Sequence, residues 1–73
     1  MDERLFEALR EWRLETAREA DVPAFVVFTD ATLIAIAEAR PQTLDELGEL
    51  AGIGSSKLER YGEAVLEIIS DAS

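Results

Sequence analysis

Gly52, Ile53, Gly54, Ser55, Ser56 and Lys57 follow one another directly, and this run has the residue types and spacing best suited to chemistry in the chain. That chemistry is anion binding. Glycine takes backbone angles barred to other residues and admits another chain closely. Gly-Ile-Gly can therefore turn into a helix whose first N–H groups, those of Gly54, Ser55 and Ser56, lie unpaired. Together with the positive end of the helix dipole and the Lys57 ammonium, those donors can hold a backbone phosphate without reading any base. Arg60, one turn on, adds a second contact, and Arg40 is a further available cation. The same residues also serve as a tight helix–helix turn, with Ile53 plugging the core and the serines capping the helix. At this level both readings stand.

Bond-making chemistry has no comparable footing. The chain contains no cysteine and no histidine, which removes thiolate nucleophiles, imidazole bases, disulfides and thiolate zinc sites together. The hydroxyls of Thr29, Thr43, Ser55 and Ser56 have only carboxylates or Lys57 to activate them, and each sits where a helix needs a cap. Asp45 and Glu49 could face a hard cation, but no run has the alternating Asp/Asn loop with a central glycine that calcium needs. No catalytic residue, metal or cofactor is expected.

Bulk composition bounds the rest. A chain of 73 residues buries about 60% of the surface its unfolded form exposes, so one domain is the ceiling. Apolar residues make up 48%, enough for a packed core despite the charge. No apolar run approaches the roughly 18 residues of a membrane span, and the N-terminus lacks the basic and apolar regions of a signal peptide. The expectation is a soluble, cytoplasmic monomer with no membrane contact. Seven Lys and Arg stand against sixteen Asp and Glu, a net charge of −9. Nucleic-acid binders usually carry the opposite sign, so strong DNA binding is disfavoured and basic partners are favoured.

The elements that must position these residues are helices. From Asp2 to Ala20 one row holds Leu5, Leu9, Trp12 and Thr16, flanked by Phe6, Arg13 and Ala17, and this face should be core. A second row, Glu3, Glu7, Glu11, Glu15 and Glu19, winds round the other side, with Arg4, Arg10 and Arg18 close enough to offset part of the repulsion. That ladder is either a solvated face or a docking strip for a basic partner. Asp21, Val22 and Pro23 end the helix, and Val22 to Phe28 is read as an apolar extended or single-turn connector plugging the core. Thr29 or Asp30 caps a helix over 31–40, with Leu33, Ile34, Ile36 and Ala37 on its apolar face, and Pro41 stops it. Thr43 and Glu46 form a capping box for a short helix from Leu44 to about Leu50. Ser55 or Ser56 caps the last helix, whose stripe is Leu58, Tyr61, Val65, Leu66 and Ile69, and residues 71–73 are expected to fray. The expected fold is an all-α compact bundle of four main helices.

Two resemblances follow from these residues. "LDELGELAGIGSSKLERYG" resembles the helix-hairpin-helix arrangement of DNA-binding proteins. The ordered set "LFEALREWR", "VPAFVVFTDATLIAIAEARP", "TLDEL" and "GIGSSKLERYGEAVLEII", from Leu5 to Ile69, resembles the HRDC domain (helicase and RNase D C-terminal) of bacterial RecQ-type DNA helicases. The resemblance implies that residues 1–73 are a single domain cut from a larger helicase, where it tunes binding to single-stranded or branched DNA and hydrolyses nothing itself. The family also occurs in RNase D and in UvrD-like helicases, which are the alternative parents.

It also implies that an aromatic of the Val-Pro-x-aromatic connector touches single-stranded DNA, and Phe25 holds that position. An exposed Phe can stack on a base, whereas a Phe in an apolar run can also be core. The departure from the family is on the first helix, where Glu7, Glu11 and Glu15 replace basic residues. Weak DNA affinity is the expectation, with an alternative in which these glutamates dock on the helicase core or another basic protein surface and DNA is not bound.

Overall fold

In the structure, a computed structural model, residues 2–72 are described, and every regular element among them is helical. Helix α1 spans Glu3–Ala20. Its start is set by Asp2, whose carboxylate accepts the Leu5 N–H at 3.1 Å. Its buried positions are Leu5, Leu9, Arg13 and Ala17, so the inner row runs on through the two flanking residues, while Trp12 and Thr16, expected in that row, are half-buried beside it. At the far end Asp21 turns left-handed at φ 57°, and the N–H groups of Asp21 and Val22 fold back on the last carbonyls.

The apolar connector is a single helical turn, α2 (Ala24–Val27), entered through Pro23. Val27 and Phe28 are buried. Helix α3 covers Asp30–Ala39 and is capped by Thr29, whose hydroxyl accepts the Thr32 N–H at 3.2 Å. The α3 face rotates slightly from expectation: Thr32 is buried with Leu33, Ile36 and Ala37, while Ile34 is 38% exposed. Those four positions span about 140° of the helix circumference, and residue 34 lies about 60° beyond its edge.

Helix α4 is Leu44–Gly48, capped by Thr43, whose hydroxyl accepts the Glu46 N–H at 3.1 Å. It stops before Leu50 because the chain tightens. Glu49, Leu50 and Ile53 each donate to the carbonyl three residues back, a narrower turn than α. Helix α5 runs Ser55–Asp71, so Asp71 is helical where fraying was expected, and Ser73 lies outside the described residues. Helix α1 packs on α2, α3 and α5, and α4 packs on α5. All five helices or their caps contribute to the core, from Leu5 and Leu9 through Phe28, Leu33 and Leu47 to Val65 and Ile69.

A long-range ion pair closes the N-terminus onto the end of α3, with Arg40 donating to Asp2. The Leu5 N–H foremost, and the Arg40 guanidinium after it, hold the Asp2 carboxyl below the ordinary aspartate range. A carboxyl whose folded pKa lies below its unfolded one stabilises the fold above the unfolded value and loses that contribution as pH falls through the folded one. Acid titration of thermal stability should therefore show a loss below the normal aspartate pKa. Asp2→Asn should flatten that part of the profile, and an unchanged acid limb in the variant would contradict the assignment.

Candidate functional site

The start of α5 is built from the core outward. Ile53 is anchored inside, and Gly54 follows in extended geometry at φ −79°, ψ 171°. The Gly54 carbonyl accepts the Leu58 N–H at 2.9 Å, so the helix begins there. This corrects the expected cap. Neither Ser55 nor Ser56 caps α5; Gly54 does, with no side-chain bond, and both serines are exposed first-turn residues. Their N–H groups, like that of Lys57, belong to the turn that has no intrahelical acceptor.

The two glycines here differ in kind. Gly52 stands at φ +90°, and a Cβ there would come 2.4 Å from the Thr32 hydroxyl oxygen, so the fold itself demands glycine. Gly54 has an ordinary φ, and a Cβ there would meet nothing within 4 Å. No internal packing accounts for it.

Lys57 is half-buried, and its ammonium lies 5.6 Å from the centre of the Phe28 ring, within cation–π range. Phe28 belongs to an aromatic cluster that periodicity did not reveal. It lies 6.0 Å from Trp12 and 5.6 Å from Tyr61, and Trp12 meets Tyr61 edge-on at 5.6 Å. Because Phe28 closes α2, the cluster ties the α5 N-terminus to the turn carrying Phe25. Phe25 itself is 66% exposed, which excludes the core position. Arg60 is exposed on α5, whereas Arg40 is engaged by Asp2.

Arg13 plays a part that its place in the core row only hinted at. It is buried; its Nη1 donates to the Phe28 carbonyl at 2.9 Å and its Nη2 lies 2.7 Å from the Asp30 carboxylate. The guanidinium thus fixes the end of α2 against α1. A lone cation at i+4 from Leu9 and i−4 from Ala17 was the available signal, since a charge in a buried row needs a partner. The predicted acidic residues Glu7, Glu11 and Glu15 are all exposed on α1. Glu7 and Glu11 line a groove between α1 and α2, and Arg10 there pairs with Glu7 at 3.6 Å.

The HRDC domain family model matches residues 2–69. The chain superimposes on the D. radiodurans RecQ HRDC domain 3 with a TM-score of 0.94 and 47% identity, covering 99% of this chain and 95% of that one. It is 54% identical over 69 residues to the ATP-dependent DNA helicase UvrD2 of Mycobacterium tuberculosis, covering 94% of this chain and 10% of that helicase. Against the ATP-dependent DNA helicase RecQ of Bacillus subtilis it is 43% identical over 68 residues, covering 93% of this chain and 12% of that helicase. The chain thus spans about a tenth of the length of the helicases it resembles.

Proposed function

This chain belongs to the HRDC domain family, and we propose that it is a non-catalytic accessory domain of a larger RecQ-type or UvrD-like helicase that weakly engages single-stranded or branched DNA and so tunes substrate choice. Phe25 stacks on a base. The first N–H groups of α5 with Lys57 hold a backbone phosphate, and Arg60 adds a cation.

One observation carries this reading. An exposed aromatic sits on the single turn whose closing residue, Phe28, also seats the Lys57 ammonium. A stacking surface and a cation thereby share one connected piece of structure, the combination that single-strand binding uses. The open space beside the Gly54 cap, where a Cβ would meet nothing within 4 Å, leaves room for an external group at the same helix start.

Affinity is limited by charge. With Lys57 and Arg60 as the cations near the site, the salt slope should be no steeper than about −1.5, given roughly −0.7 per phosphate on a single strand. Glu7 and Glu11, in the groove that Ala24 of the same turn lines, oppose phosphate approach. The chain has no G-x-x-x-x-G-K-[ST] loop to cradle nucleotide phosphates, so ATP-driven work belongs to the rest of the parent. No helix among the described residues is long and apolar enough to cross a membrane, and the cytoplasm, where chromosomal DNA is met, is the proposed location.

The test is a labelled single-stranded oligonucleotide titrated at low and moderate salt. Binding should appear at low salt and fade at moderate salt. Phe25→Ala should cost about 1–3 kcal/mol of binding, the worth of one stacked base, with an unchanged melting temperature because the ring is already in solvent. No binding at low salt removes the DNA reading.

A further inference from the structure

The groove between α1 and α2 is a second surface, which borders the DNA-stacking residue Phe25 but is lined by residues that hold no DNA in that reading. It measures about 440 Å³ and is lined by Glu7, Arg10, Glu11, Arg13, Leu14 and Ala24. The α1 wall is one continuous outward face at i, i+3, i+4 and i+7. At its C-terminal end stands Leu14, 51% exposed, and beyond Ala24 the same turn presents Phe25 and Val26, the latter 45% exposed. Leu14, Phe25 and Val26 are three of the exposed large apolar residues, and all three fall on this helix pair.

Charge selects the occupant. Arg13 is neutralised by Asp30, and Arg10, paired with Glu7, offsets one charge of Glu7, Glu11 and Glu15, so this face of α1 stays net negative. A second copy of the chain would bring another −9, and nucleic acid or an anionic lipid surface would bring phosphates, so each is repelled. We propose that this groove is a docking site for a basic amphipathic helix of a protein partner, whose apolar side chains cover Leu14, Phe25 and Val26 while its Lys or Arg residues meet Glu7, Glu11 and Glu15. Docking in this manner is the helix-in-groove mode, read by residues spaced about one turn apart. Its occupant covers Phe25, so partner and single-stranded DNA exclude one another.

The probe is a synthetic amphipathic Leu/Lys peptide of about 15 residues, long enough to hold a helix, with a counterpart in which Glu replaces Lys. The readout is the backbone amide shift map of this chain at low salt. Shifts are expected on residues 7–15 and 24–26, with affinity falling as salt rises. Glu7→Lys with Glu11→Lys should weaken binding by about tenfold or more, from two reversed charges. Leu14→Ser should weaken it by about fivefold with an unchanged melting temperature.

Equal binding of the acidic counterpart, shifts confined to the α5 N-terminus, or no shifts at low salt would each overturn the proposal. So would self-association through this face in sedimentation. The titration contains no DNA, so its failure and that of the stacking reading are separate results.

Discussion

Gly52→Ala should lower stability by about 2–4 kcal/mol, the sum of backbone strain at positive φ and steric overlap in a packed site. For a domain of this size that is a fall in melting temperature of roughly 10–25 °C. Both parts are visible at the residue. Its φ of +90° is one that side-chain-bearing residues rarely adopt, and a Cβ would stand 2.4 Å from the Thr32 hydroxyl oxygen. Thr32 cannot simply swing away, because it is buried and its hydroxyl lies 3.1 Å from that of Thr29, the cap of α3.

The two parts can be separated. Thr32→Ala removes the oxygen that a new Cβ would strike but leaves the backbone angle alone, so in the double variant Gly52→Ala should cost less than in the parent, yet still more than about 1 kcal/mol. Chemical denaturation of the four proteins measures the coupling. A cost below about 0.5 kcal/mol for Gly52→Ala alone would mean that the turn relaxes freely, and the turn would then not be what fixes Ile53 in the core and Gly54 at the helix start.

The contrast between Gly52 and Gly54 shows where sequence reasoning ran out. Gly-Ile-Gly announced a turn, and Ile53 was legible as its core plug because an isolated large apolar residue between glycines has little else to do. Which glycine serves the fold and which leaves space for something else depends on what lies opposite, and Thr32 is twenty residues away in sequence. The same limit explains the cap at α5. Serine is the better capping residue by preference, but burial of Ile53 sets the register and leaves the serines inside the first turn.

Within single helices the sequence was readable. Leu5 and Leu9 are buried as expected, Thr43 caps α4, and Pro41 follows the end of α3, although the inner row of α1 continues through Arg13 and Ala17 with Trp12 and Thr16 half-buried. Across helices it was not. In the run from Val22 to Phe28 nearly every side chain is apolar, so no alternation marks an inner and an outer face. Arg13, reaching across from α1 to the Phe28 carbonyl, holds that turn against α1 with Phe28 inward and Phe25 outward. The cluster of Trp12, Phe28 and Tyr61 likewise joins α1, the end of α2 and α5, a coincidence of three separate stripes that no one of them records.

Gly54→Asp should move stability and DNA binding in opposite directions. The position already has the extended angles of a helix cap, makes no side-chain bond, and has open space where a Cβ would go. An aspartate there can accept first-turn N–H groups and sits favourably against the helix dipole, a gain of about 0.5–1 kcal/mol and a melting temperature higher by roughly 2–8 °C. The carboxylate would at the same time take the donors that a phosphate needs and place a negative charge where the phosphate must arrive. Binding of a single-stranded oligonucleotide at low salt should fall at least about tenfold. Gly54→Ser is the informative companion, since it supplies a cap without charge and should stabilise less while retaining part of the binding. Destabilising variants lose binding trivially, whereas a variant that is more stable and yet binds worse has lost a contact made at that site. If Gly54→Asp stabilises the fold and leaves DNA affinity unchanged, the start of α5 holds no phosphate, and Phe25 with its neighbours must account for any binding that is seen.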